Sequence, residues 1–264
     1  MSTVPARVSA RVASGLKRFQ SVLEEARKRD VNESDTAIIV TDILCDVFGY
    51  DKYGEITSEH SVRSTFCDLA IKVDGDLAVL LEVKAIGLDL KDNHIKQAVD
   101  YAANQGCDWV ALTNGVVWQA YRVTFSKPID AELVLEVNLL ELNSRRSEDV
   151  ERLALLSREA WQKSRLEDYA IRKQALSRFT VAAVLLTEPC LQVIRRELRR
   201  ISKKVKVEIE EVERILLQEV LKREALEGEK AATAKKLIGR AARRALRAAE
   251  KEGAAAAPQA TPKA

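Results

Sequence analysis

The chain has 264 residues, of which 47% are hydrophobic and 31% charged, with a formal net charge of +3. That length supports one substantial core and a smaller appendage. No apolar run reaches the length of a membrane span, so an integral membrane protein is excluded from the expectations. Four cysteines without a CxxC pair, and two histidines at no ligand spacing from them, argue against a structural zinc site or a disulfide framework. Buried, reduced thiols in a cytoplasmic protein are the expectation.

In chain order, Met1 to Gln20 has no apolar h-region and reads as a short basic amphipathic helix rather than a secretory signal. Residues 32–49 follow as a helix. Asn32 suits the N-cap, Glu33 and Asp35 suit the first turn, and Gly49 stops it. Ile38, Ile39, Ile43, Leu44 and Val47 recur at helical spacing. Three strand signals come next: Glu55 to Val62, Thr65 to Val73, and the nearly all-apolar Leu77 to Ala85. Asp74-Gly75-Asp76 signals a hairpin between the last two.

Asp89 or Asp92 opens a helix through Asn104, ended by Gly106. Trp109 to Thr113 and Val116 to Thr124 read as a hairpin around Asn114-Gly115, and Glu132 to Leu140 as a last strand. Trp109 and Trp118 suit packing, and His94 suits the start of the helix that carries it. The order helix, meander, helix, hairpin predicts an α/β sandwich over residues 31–143, preceded by the basic helix of 1–30. Residues 144–227 are helical in pattern, broken at Glu188-Pro189, with one short strand expected within Lys203 to Val212. From residue 228 to 264 an Ala-rich basic tail follows: a solvated helix near 230–251, then disorder.

Charge is uneven. Glu229 to Ala264 holds nine Lys/Arg against three Glu, a net of +6, which leaves −3 for the rest. Lys235, Lys236, Arg240, Arg243, Arg244 and Arg247 recur at helical spacing with little acid nearby. They are the better nucleic-acid candidates; a merely solubilising tail is the alternative. On Arg195-Arg196-Glu197-Leu198-Arg199-Arg200, pairing with Glu208, Glu210, Glu211 and Glu213 is favoured over phosphate binding.

The chemistry concentrates on one strand. Glu82 and Lys84 lie two apart, so both project from one face of an otherwise apolar run. A carboxylate and an ammonium there are costly unless paired or bound to an ion. With Asp74-Gly75-Asp76 as a three-residue loop, Val73 faces Leu77 and Asp68 lies opposite Glu82. A two-residue loop would misalign the faces without a bulge. Two carboxylates about 5 Å apart repel unless a cation sits between them, and an oxygen set of this kind suits Mg²⁺ or Mn²⁺. Gln97 and Tyr101, four apart on the next helix, share a face. Gln97 could orient a water or a metal ligand, and Tyr101 could bond a phosphate. The alternative is an ion pair at a strand end, with Tyr101 in the core.

Six segments resemble the N-terminal nuclease domain of type I restriction enzyme R subunits, within the PD-(D/E)xK superfamily. They are Asn32-Glu33-Ser34-Asp35-Thr36, Phe48-Gly49-Tyr50-Asp51, Cys67-Asp68-Leu69-Ala70-Ile71, Glu82-Val83-Lys84-Ala85, Gln97-Ala98-Val99-Asp100-Tyr101 and Thr113-Asn114-Gly115-Val116-Val117-Trp118. The resemblance covers roughly residues 30–140. It implies a restriction-endonuclease-like mixed sheet flanked by helices, and Mg²⁺- or Mn²⁺-dependent cleavage of DNA in restriction, defence or repair. It implies Asp68, Glu82 and Lys84 as the catalytic core, Gln97 and Tyr101 as a QxxxY motif, and a supporting acid on the first helix, Glu33 over Asp35, with capping as the alternative role for either. The sequence holds no GxxxxGK[ST] loop, so an ATP-driven motor would come from a partner protein. A non-cleaving DNA-binding or assembly module on the same fold is the rival expectation, and the helical region leaves a homodimer open.

Overall fold

A computed structural model describes residues 4–62, 65–125, 129–201 and 206–255. The chain divides into two compact units, up to Ala170 and from Ile171 onward.

The first unit opens with α1 (Ala6–Lys28) and α2 (Glu33–Asp46), then β1 (Ile56–Val62), β2 (Thr65–Val73) and β3 (Asp76–Val83). Helix α3 (Asp92–Gln105) leads to β4 (Trp109–Thr113), β5 (Val117–Thr124) and β6 (Asp130–Asn138). The six strands form one sheet in the order β1-β2-β3-β4-β5-β6. Only β3 and β4 run parallel, because α3 carries the chain back across the sheet between them; the other four pairings are antiparallel. Short helices α4 (Ser147–Leu153) and α5 (Arg158–Gln162), and the start of α6 (Arg165–Ala175), complete the unit. The α/β expectation holds, and the unit reaches some 25 residues beyond the sandwich read from sequence.

Both faces of the central strands are covered. On one face, Leu69, Ile71, Val79, Leu81, Val83, Trp109 and Ala111 pack in a core that includes α1 and α2. On the other, Ala70, Leu80, Val110 and Leu112 pack against Ile95, Ala98, Val99, Tyr101 and Ala102 of α3. Helix α1 extends past Gln20 because Val8, Val12, Leu16, Phe19, Leu23 and Ala26 form one stripe, each at most 3% exposed. Burying each of the larger ones stabilises the unit by about 1.5–3 kcal/mol. The helix is therefore part of the core. Gly15 lets it approach α2, since a Cβ there would stand 2.8 Å from Val47 Cγ2.

Helix α2 begins as expected: Asn32 caps it by accepting from Asp35 N at 2.9 Å. The carbonyls just past its end are taken by Arg11, which donates to Val47 O and Phe48 O and pairs through two nitrogens with Glu159. Ile38, expected on the buried stripe, is 62% exposed, because Thr36, Val40, Ile43 and Leu44 define that face instead.

The second unit contains α7 (Arg178–Leu185), α8 (Glu188–Ile201), α9 (Ile209–Ile215), α10 (Arg223–Leu226) and α11 (Glu229–Ala255). Pro189 sits in the first turn of α8, where its missing N–H costs nothing. The strand expected within Lys203 to Val212 is absent among the described residues: Ile209 onward is helical, opened by Glu208 N donating to Glu211 Oε2. Residues 203–205 lie outside the described residues, as does the expected disorder of 256–264.

Candidate functional site

The β2–β3 hairpin positions the acids. Asp74 (φ 54°) and Gly75 (φ 94°) form a two-residue turn, and Val73 pairs with Asp76, not Leu77. The three-residue loop of the sequence reading is corrected here. The register recovers because Lys72 pairs with Leu77 while Ile71 pairs with Val79, leaving Ala78 as an extra, bulged residue. Ala78 and Val79 accordingly both lie against the larger core. From there the pairing runs Ala70 with Leu80 and Leu69 with Leu81, a register whose continuation brings Asp68 to Glu82.

Glu82 follows Leu80 on the α3 face and is 6% exposed. Asp68 is half-buried, and its Oδ2 accepts from Val83 N at 2.7 Å, which fixes it at the end of β3. Lys84 Nζ lies 2.7 Å from Glu82 Oε1 and 3.5 Å from Glu33 Oε2. Burial raises the Glu82 pKa; Lys84 opposes this, while Asp68 and Glu33 add to it. Burial lowers that of Lys84, but Glu82, Glu33 and Asp68 outweigh it and leave the ammonium more basic than usual. Three carboxylates thus face one ammonium.

The segment after Lys84 is held from two elements. Thr36 Oγ1 accepts from Ile86 N at 3.1 Å while donating to Asn32 O. Asn114 Nδ2 donates to Leu88 O at 2.9 Å, and its Oδ1 accepts from Val116 N and Val117 N. Thr36 is fully buried and Asn114 is 7% exposed. Neither role was read from sequence; the available signal was a polar residue on the apolar face of α2 and an Asn-Gly turn facing the strand end.

Among the described residues no group of three or more His, Cys, Asp or Glu could hold a metal ion. Glu33 meets Lys84 and does not complete such a group. Asp68 and Glu82 remain as a hard-oxygen pair in a negative setting. That donor set fits Mg²⁺, which takes one or two carboxylates and keeps several waters.

Gln97 is exposed on α3. Tyr101 is fully buried in the smaller core, beside Cys67, whose thiol burial and Glu82 push up to about 12. Its ring packs in that core under α3, as in the alternative reading that places Tyr101 in the core. His94 caps the start of α3, its Nδ1 accepting from Lys91 N. Trp118 packs edge-on against Phe48, and Trp109 against Trp161. In the second unit, Lys235, Lys236, Arg240, Arg243, Arg244 and Arg247 are all exposed on α11. On α8, Arg196 and Arg200 pair with Glu197, and Arg199 donates to Val207 O; Arg199 and Arg195 also help lower the Glu208 pKa, after Lys206.

All four cysteines are free, and no described helix is long and apolar enough to cross a membrane. No curated protein and no solved structure gives a significant match to the chain. Residues 39–133, from within α2 to within β6 and including Asp68, Glu82, Lys84, Gln97 and Tyr101, match the family of the type I restriction enzyme R protein N terminus (HSDR_N): the chain carries a relative of that domain.

Proposed function

We infer that this chain is a Mg²⁺- or Mn²⁺-dependent DNA endonuclease of a restriction, defence or repair system. The observation that carries the reading is the Asp68–Glu82 pair, set side by side by a bulged hairpin with Lys84 against it. Asp68 and Glu82 would hold the cation through their carboxylates. A divalent cation held there would supply Lewis-acid polarisation of a phosphodiester and would lower the pKa of the attacking water. Lys84 carries the positive charge that offsets charge growing on the phosphate. Gln97 is the residue we assign to orienting the water. In this reading a partner protein would supply targeting or ATPase activity.

The rival is a non-cleaving DNA-binding or assembly module. One observation favours it: the described residues hold no group of three or more His, Cys, Asp or Glu that could hold a metal ion. Incubating supercoiled, linear and single-stranded DNA with the full chain and Mg²⁺ or Mn²⁺ separates the two. Cleavage that Glu82→Gln and Lys84→Ala abolish supports the nuclease. Intact DNA under every condition supports the module.

A further inference from the structure

Helix α11 carries a second feature, outside the residues that match the family. Its N-terminal half packs on α7, with Ala231 at 2% and Ala234 at 5% exposure and Ile238 half-buried. At 3.6 residues per turn these three cluster within about 60° of the helix circumference. Lys236, Arg240, Arg243, Arg244 and Arg247 fall at i, i+4, i+7, i+8 and i+11, within about 100° on the opposite side. All five are exposed, and no acid occurs between Lys230 and Ala249. Arg243 Nε donates to Gly239 O, which holds that guanidinium along the helix.

Five like charges on one face destabilise an isolated helix, since like pairs at i, i+4 each cost a few tenths of a kcal/mol. A counter-charged partner removes that cost. The stripe is about 17 Å long, and duplex DNA presents about one phosphate charge per 1.7 Å of axis, so about ten phosphates lie within its length. An anionic membrane fits less well. A helix lying in a lipid interface needs bulky apolar side chains opposite its basic face. Here that face is Ala231, Ala234 and Ile238, already packed on α7.

The geometry points to the Lys236–Arg247 stripe as a sequence-independent docking surface for the backbone of duplex DNA. It acts as an anchor that needs no divalent cation, and it goes beyond the nuclease reading, standing whether or not Asp68 and Glu82 support cleavage. The test is fluorescence anisotropy of a labelled duplex with the full chain in EDTA, titrated over salt. EDTA removes cleavage, so failure here and failure of the nuclease reading are separate results. With five phosphates neutralised, log K falls with log salt at a slope of about −4.5. Converting all five residues to Gln lowers affinity at least tenfold and takes most of that slope away, with helicity by circular dichroism retained because Gln is a good helix former. Converting Arg195, Arg196, Arg199 and Arg200 to Gln leaves slope and affinity near wild type. An unchanged slope in the five-fold variant, an equal loss in the α8 variant, or binding to phosphatidylserine vesicles in place of duplex overturns the proposal.

Discussion

Asp68 comes opposite Glu82 because Ala78 bulges out of the ladder and leaves Ile71 paired with Val79. Were Ala78 paired with Ile71 instead, Asp68 would face Leu81, whose side chain belongs to the larger core. Asp68 then secures the arrangement by accepting from Val83 N, one residue past Glu82.

That origin of the register makes an unusual prediction. Deleting Ala78 removes the bulge and leaves Lys72 with Leu77 and Ile71 with Val79, so Asp68 keeps Glu82 opposite. Divalent-cation binding and DNA cleavage by the deletion variant are expected to stay within an order of magnitude of wild type. Had the loop been three residues long, the same deletion would slip the strands by one and turn Glu82 to the wrong face. Parallel cleavage and metal titrations of the two proteins decide between these outcomes.

Thr36→Val keeps the side-chain shape but leaves Ile86 N–H buried without its acceptor. The expected cost is about 1–3 kcal/mol in urea unfolding. Asn114→Ala removes bonds to the same segment from the other side. The two effects are expected to be non-additive, because both act on the backbone after Lys84. Cleavage should fall in both variants although neither residue touches the acids. Additive stability losses with full activity would show that the segment is not held as a unit.

Glu159 gives a pH signature. The hydrogen bond from Arg11 holds its carboxyl below the usual range, against an opposing push from burial. A depressed folded-state pKa contributes stability above the unfolded value, which is lost as pH falls through the folded one. Glu159→Gln should therefore cost about 1–2 kcal/mol near neutral pH, allowing for partial solvent screening of Arg11, and converge on wild type in acid. Thermal unfolding from pH 7 down to pH 3 reads this directly. A gap that is independent of pH would assign the loss to packing.

Gly15→Ala sets two known effects against each other. Alanine gains up to about 1 kcal/mol of helix propensity over glycine. Its Cβ would lie 2.8 Å from Val47 Cγ2, and overpacking of this kind costs about 1–3 kcal/mol. A net destabilisation of about 1 kcal/mol is expected by chemical denaturation, and a stabilised variant would contradict the close α1–α2 approach.

Local signals made much of the fold legible. The Asn32 cap, the hairpin turns, the apolar β3 run and the α3 crossover rest on side chains acting within a few residues of themselves. The meeting of Asp68 with Glu82 was legible too, but through the wrong loop. Turn type and bulge compensate each other, and only the sum of the two determines which residues face. The choice between the two readings of Tyr101 was not legible, because its spacing from Gln97 defines a shared helix side, whereas burial depends on how α3 lies on β2, β3 and β4. The exposure of Ile38 has a similar origin, since several apolar residues of α2 compete for a narrow buried face. Thr36 and Asn114 escaped notice because their partner, the Ile86–Leu88 segment, is at least 26 residues away in sequence.

The central claim is that Asp68 and Glu82 together hold one divalent cation. Calorimetric titration of the full chain with Mn²⁺ tests it most directly. The account predicts one saturable site in the wild-type protein, weakened about 100-fold or more by Asp68→Asn with the fold intact by circular dichroism. Absence of a saturable site, or a site that Asp68→Asn leaves unchanged, would contradict it.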